Sequence, residues 1–141
     1  MDQIAVAQAV VDLRRLARAV LDPAARRRAE RAADRLVIEL GPSLSKTRAA
    51  RLLGISVTAL DSWVARGALE TVRKPGTQKA EIETESLLEL ADEVAQVRAG
   101  GRRGGVVAHA VRRLDERRRS VASIVDAAAL SESVSTIASA G

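Results

Sequence analysis

The sequence contains no cysteine, tyrosine or phenylalanine, and it has one tryptophan and one histidine among its 141 residues. Without cysteine, the chain can form neither a disulfide framework nor a thiolate metal site. His109 has no second histidine beside it, which argues against a metal ion, and we expect no cofactor. Because aromatic rings are the usual stacking platforms for single strands and RNA, their scarcity favours duplex DNA among nucleic acids.

Catalytic and membrane motifs are also missing from the sequence. It has no Cys or His pair for nucleophilic catalysis, no phosphate-binding or dinucleotide-binding loop and no zinc-protease motif. The opening Met1-Asp2-Gln3 lacks the basic start of a signal peptide, and no apolar run approaches the length of a membrane span. The sequence therefore predicts a cytoplasmic protein that is not an enzyme and does not bind a membrane.

Positive charge is in moderate excess. The formal net charge is +5 and the isoelectric point is about 10.9. A basic balance favours a polyanionic partner, although it does not identify one.

The most informative stretch runs from Ser45 to Ile82 and contains two short helical patterns. Ser45 is placed to cap a helix over residues 46–53, and Gly54 stands where a helix end favours a residue of positive φ. Ser56 is placed to cap a second helix that ends near Arg66. Two short helices joined by a glycine-containing turn are typical of a helix-turn-helix, whose second helix enters the DNA major groove.

This stretch resembles the MerR and phage-excisionase type of winged helix-turn-helix over about residues 44–95. The resemblance rests on Thr47, Ala50, Leu53-Gly54-Ile55-Ser56, Leu60, Trp63, Gly67, Leu69, Pro75-Gly76, Ile82 and Leu87. It implies a β-hairpin wing with strands at Leu69–Arg73 and Lys79–Glu83, joined by a turn at Lys74–Thr77. The chain departs from the family at Asp61 and Ser62, where members often carry basic residues.

The expected DNA contacts fall into two groups. Thr58, Ser62 and Asp61 lie on the outward side of the second helix and are expected at base edges, where an acidic group can accept a hydrogen bond from cytosine N4. Cationic and polar residues around them are expected at phosphates, which position the protein without specifying sequence. These phosphate-contacting residues are Lys46, Thr47, Arg66, Arg73, Lys74 and Lys79.

The structural core of this unit is expected to consist of Leu53, Gly54, Ile55, Leu60, Trp63 and Gly67. Trp63, as the one aromatic residue, is predicted to be its centre. The fold class is therefore mainly α: a winged helix-turn-helix core with a small β-hairpin wing, flanked by an N-terminal helical hairpin and a C-terminal helix.

Helical patterns and glycine positions divide the chain into five segments. Residues 1–41 are predicted to form a helical hairpin that breaks at Asp22-Pro23, and residues 42–99 the winged helix-turn-helix domain with an acidic helix after the wing. A Gly/Arg linker over 100–105 precedes a C-terminal helix over 106–130 with a seven-residue repeat that Arg117 and Arg118 interrupt. A disordered tail is expected over 131–141. The hairpin is either a dimerisation or partner-binding arm or an extension of the core.

The leading functional prediction is a sequence-specific protein for double-stranded DNA, most simply a small bacterial transcription regulator that acts as a homodimer. Two alternatives remain open. One is an antitoxin of a toxin–antitoxin pair, which binds both operator DNA and a cognate toxin. An excisionase-like factor is a close variant of this alternative. The other is a protein-interaction module with a degenerate winged helix. Asp61 and the acidic helix after the wing favour this alternative.

Overall fold

The computed structural model describes residues 2–140, with side chains described as far as Ser131. This part of the chain is mainly helical and includes one small antiparallel sheet. None of the helices described is long and apolar enough to cross a membrane. The elements in chain order are α1 (Gln3–Ala19), α2 (Pro23–Leu40), β1 (Ser43–Leu44), α3 (Lys46–Leu53), α4 (Val57–Ala65), β2 (Thr71–Arg73), β3 (Ala80–Glu83), α5 (Thr84–Ala99) and α6 (Val106–Ala140).

Helices α1 and α2 form the predicted hairpin, and the break at Asp22-Pro23 is confirmed. Asp22 accepts hydrogen bonds from the first backbone N–H groups of α2, and Pro23 occupies its first position, where no N–H partner is needed. Helix α1 ends at Ala19, earlier than expected, because Val20 already has an extended backbone. The Arg26 guanidinium donates hydrogen bonds to the carbonyl oxygens of Ala17 and Val20 and so caps this end of α1.

Helix α1 belongs to the protein core rather than to a free arm. Its residues Val6, Ala7, Val10 and Val11 are buried in the same hydrophobic cluster as residues of α3 and α5. Ion pairs to α5 reinforce this packing. They join Arg14 to Glu85 at 3.1 Å and Arg18 to Asp92 at 2.7 Å.

The starts of α3 and α4 follow the predicted capping residues. The hydroxyl of Ser45 accepts a hydrogen bond from Arg48 N–H, and that of Ser56 accepts one from Ala59 N–H. Gly54 takes a left-handed backbone with φ of 72°, which reverses the chain after α3 at no steric cost. Helix α4 ends at Ala65, with Arg66 as its C-cap.

The sheet has three strands in the order β1-β3-β2, whereas the sequence predicted a two-stranded hairpin. In the additional strand, Ser43 pairs with Glu83 and Leu44 with Ile82. A two-residue strand has no periodicity to read, which explains why it was missed. The predicted strand from Leu69 begins only at Thr71, and the one predicted from Lys79 begins at Ala80. Ala68 and Leu69 precede β2 and are buried in the core.

The predicted turn of the hairpin is present. Thr77 N–H donates to the carbonyl of Lys74, and Gly76 has a φ of 82°. Proline before a glycine of positive φ is the pattern of a type II turn.

The core is aliphatic, and the prediction that Trp63 forms its centre is wrong. Leu53, Leu60, Ile82 and Leu87 are fully buried, whereas Trp63 is only partly buried against them. The size of an indole ring does not decide its burial here, because the short helix α4 directs Leu60 inward and leaves the ring beside the start of α6. The predicted core residues Gly54 and Gly67 are exposed turn residues, and Ile55 is partly buried.

Helix α6 turns back onto α5 after the glycine-rich segment 100–105. Val107, Ala110, Val111 and Leu114 join the main core, so the first part of α6 belongs to the folded body. The helix runs to Ala140 and so extends past the end predicted at Leu130. The predicted tail over 131–141 overlaps this last part, where side chains from residue 132 onward lie outside the described part of the structure.

Candidate nucleic-acid interface

A groove between the start of α3 and strand β3 brings together three of the predicted phosphate-contacting residues. We call this cavity of about 430 Å³ the α3–β3 groove. Its polar lining includes Lys46 and Thr47 at the helix start and Gln78 and Lys79 on the hairpin. Glu81 of β3 also lines it, and the carboxylate of Glu81 is held by Lys74 and the Ser43 hydroxyl. The start of a helix carries partial positive charge and free N–H groups, which add to the two lysines. The groove is therefore suited to an anionic group such as a phosphate.

Lys46 also forms an ion pair that joins α3 to α4. Its Nζ lies 2.8 Å from Oδ1 of Asp61, and both side chains are partly exposed. The sequence predicted Asp61 at base edges and Lys46 at a phosphate, but not that these two residues would meet. The pair offsets the negative charge of Asp61, and an exposed pair of this kind stabilises a protein by only about 0–1 kcal/mol. Lys46 can therefore exchange Asp61 for another anion at small cost.

The outward side of α4 is a polar, accessible surface. Thr58, Asp61 and Ser62 are placed there as the helical spacing predicted, while Leu60 is buried on the opposite side. The outward side chains are short and carry hydroxyl or carboxylate groups. Such groups can donate to or accept from the edges of bases.

The three cations of the hairpin are not equivalent. Lys74 lies 3.4 Å from Oε1 of Glu81, which also accepts a hydrogen bond from the Ser43 hydroxyl at 2.8 Å. Lys74 is thus drawn back onto the sheet. Arg73 and Lys79 are exposed and make no ion pair with any side chain that the structure describes.

Arg66 lies apart from the α3–β3 groove. Its guanidinium carbon is 5.1 Å from the centre of the Trp63 ring, a cation–π contact worth about 0.5–1 kcal/mol at an exposed site. It lines a different groove, of about 360 Å³, together with Trp63 and residues of α6 such as Arg112. The structure therefore does not group Arg66 with the other predicted phosphate-contacting residues.

The acidic helix α5 is turned toward the flanking helices. Asp92 binds Arg18 of α1, and Glu89 binds Arg118 of α6 at 3.1 Å. Glu93 is only 1% exposed and pairs with arginines of α6, Arg113 and Arg117. The arginines Arg18, Arg113, Arg117 and Arg118 thus have carboxylate partners on α5.

Sequence reasoning missed Gln78 and Ser45 as lining residues of the α3–β3 groove. Ser45 was assigned only a capping role, which it also has. Gln78 directly precedes Lys79, and its position at the end of the hairpin loop was the available signal.

Comparison with protein-family models, curated proteins and solved structures finds no match for this chain.

Proposed function

We propose that this chain binds double-stranded DNA in a sequence-specific manner and acts most simply as a small bacterial transcription regulator. In this proposal α3, α4 and the β2–β3 hairpin work as a winged helix-turn-helix. Helix α4 enters the major groove, while the hairpin and the start of α3 lie along the phosphate backbone.

The observation that carries the proposal is the α3–β3 groove beside the outward face of α4. Lys46, Thr47 and Lys79 line one groove, and Lys46 joins it to α4 through Asp61, whose neighbours Thr58 and Ser62 are exposed. DNA recognition combines phosphate contacts, which position the protein, with base contacts, which specify the sequence. The cations of the groove are suited to the phosphate contacts, and the short polar side chains of α4 are suited to the base contacts.

The pairing of Asp61 with Lys46 answers one objection to this function for the free protein, and the carboxylate opposes DNA only once Lys46 has moved to a phosphate. An isolated carboxylate on the DNA-facing helix would repel phosphates, but a carboxylate at 2.8 Å from an ammonium group contributes little net field. Likewise, the acids of α5 are paired with arginines of α1 and α6, so they add little repulsion.

The test is fluorescence anisotropy of the full chain with labelled duplexes from the region upstream of its own gene. Scrambled duplexes of equal length and composition serve as competitors, and a salt titration accompanies each measurement. We expect binding that resists scrambled competitor at moderate salt. Equal, wholly salt-sensitive binding to both duplexes would reduce the effect to net charge and overturn the proposal.

A second candidate is an antitoxin that binds DNA through the same surface and a toxin through its helices. The exposed apolar side chains on the outer part of α6 favour a protein partner of some kind. Co-purification of the product of the adjacent gene with the tagged chain would support the antitoxin role.

A further inference from the structure

The outer part of α6 projects from the folded body without covering its apolar side chains. Every side chain from Asp115 to Ser131 is exposed, whereas Leu114 just before them is buried. Val121 and Val125 are 59% and 58% exposed. A lone helix of this length is marginally stable in water, because tertiary packing supplies most helical stability. This segment therefore needs a surface to pack against.

A single stripe connects the buried and the exposed parts of α6. Leu114, Arg118, Val121, Val125 and Ala128 follow one another at alternating spacings of four and three, the repeat of a two-helix seam. Leu114 already packs in the core. The stripe thus continues an existing packing surface beyond the end of the body.

The arginines that interrupt this repeat in the sequence are held by α5. Arg118 binds Glu89, and Arg117 binds the buried Glu93. Their charged ends are thereby neutralised, and their aliphatic stems border a groove of about 520 Å³ that also includes Val121 and Val125. The aliphatic side chains of Leu114, Val121 and Val125 therefore give the groove an apolar surface on which another helix can pack.

We propose that residues 115–131 of α6 pack antiparallel against the same segment of a second copy of this chain. With the two-fold axis level with Ser123, Val121 of one copy faces Val125 of the other. The bulky Arg118 then faces the small Ala128, and Asp126 lies close to the basic segment 117–119. A parallel pair would instead place Arg118 beside Arg118, so that two long side chains would compete for the space at one level of the interface.

The size of the seam predicts a reversible dimer. Two α6 helices in contact over residues 115–131 bury on the order of 1,000 Å² of surface in total, which is the lower limit for a specific interface. We expect self-association in the micromolar range. The inference gives a defined surface to the homodimer that the sequence predicts for the proposed DNA-binding function. It concerns self-association alone and is tested without DNA, so the inference and the proposed function can fail independently.

Sedimentation equilibrium of the full chain over a range of concentrations is the first test. We expect the average mass to rise from one chain to two. The double variant V121S/V125S should weaken association by about tenfold or more, since it removes the apolar centre of the seam. The matched control is L130S, because Leu130 is also exposed, at 67%, but lies on the opposite side of α6. Circular dichroism verifies that each variant remains folded.

Disulfide trapping tests the relative direction of the two helices. Because the chain has no native cysteine, only the introduced cysteines can form disulfides. Tagged V121C is mixed with untagged V125C under mild oxidation. An antiparallel seam gives mainly mixed disulfides between the two variants, whereas a parallel seam links each variant to itself. A wild-type chain that stays monomeric at about 100 µM, well above the expected micromolar range, would overturn the proposal and leave the stripe to a different protein. Preferential self-linking would overturn the antiparallel arrangement.

Discussion

Lys46 at the start of α3 and Asp61 in the middle of α4 face each other at 2.8 Å. This ion pair ties together the two helices that the proposed function places against DNA. Lys46 is expected to contact a phosphate and Asp61 a base edge. In the free protein, however, these two side chains bind each other. In the proposed complex with DNA, Lys46 therefore exchanges Asp61 for a phosphate.

The first prediction concerns this exchange. Replacing Asp61 by Asn should tighten DNA binding on all sequences, because Lys46 is released and a negative charge is removed beside the α3–β3 groove. The salt dependence of log K should steepen by up to ~0.9, the value for one added phosphate contact. Anisotropy titrations at several salt concentrations measure both effects. The control is D34N on α2, which removes the same charge elsewhere. A weaker affinity that depends on one base position would instead assign Asp61 to a direct base contact.

The second prediction separates the cations of the hairpin. Replacing Arg73 and Lys79 by Ala should weaken binding equally on specific and scrambled duplexes, because phosphate contacts carry no sequence information. The salt slope should flatten by ~0.9 for each phosphate that the variant no longer neutralises. R27A/R31A, two exposed substitutions on α2 that remove the same number of positive charges, controls for net charge. An unchanged slope in the double variant would remove the hairpin from the interface.

The third prediction concerns sequence preference. Replacing Thr58 and Ser62 by Ala should change which base pairs are preferred while leaving the salt slope intact, because in the proposed complex these uncharged hydroxyl groups contact base edges. Removing each single hydroxyl contact should reduce discrimination by about 0.5–1.5 kcal/mol. Selection from a randomised duplex library measures the preference. A uniform fall in affinity with the original preference preserved would argue against direct readout by α4.

Helix starts were the best predicted part of the fold, because each depends on a local chemical signal. Asp22, Ser45 and Ser56 cap helices through their own side chains, and Gly54 takes the backbone that only glycine adopts readily. Such signals are complete within four or five residues. They can therefore be read without knowledge of the tertiary structure.

Interactions between distant segments could not be predicted in the same way. A two-residue strand has no pattern of its own, and β1 exists only because Leu44 meets Ile82 across the sheet. The same holds for Lys46 and Asp61, which lie on different helices. Trp63 shows the opposite error: its apolar character suggested burial, but the placement of α6 decides how much of the ring is covered.

The fourth prediction is a pH effect at His109. Loss of hydration lowers the pKa of this side chain below its ordinary value of 6.5, and the charges of Arg102, Arg112 and Arg113 act in the same direction against an opposing Glu116. The fold disfavours the charged imidazole of His109. The stability that depends on the neutral ring is therefore complete above pH 6.5, and it is lost as the pH falls through the lowered pKa.

Titration of the His109 ring protons by NMR measures this pKa directly. We expect a value below 6.5 in the full chain and a higher value in R102Q, which removes one of the nearby positive charges while keeping the side chain polar. A charge-removing substitution on α2, R27Q, should leave the titration unchanged. A pKa at or above 6.5 in the wild-type chain would contradict the expected environment of His109.

The fifth prediction compares two glutamates of α5 that bind arginines of α6. Glu93 is 1% exposed, with Oε1 2.9 Å from Arg113 Nε and its other oxygen toward Arg117. Glu89 binds Arg118 in a similar way but is half exposed. E93Q should lower the free energy of unfolding by about 1–3 kcal/mol, since it leaves a buried polar group poorly matched to two cations. E89Q should cost less than about 1 kcal/mol, as for other exposed pairs. Urea unfolding followed by circular dichroism measures both. Equal costs would show that burial does not strengthen the attachment of α6 to α5.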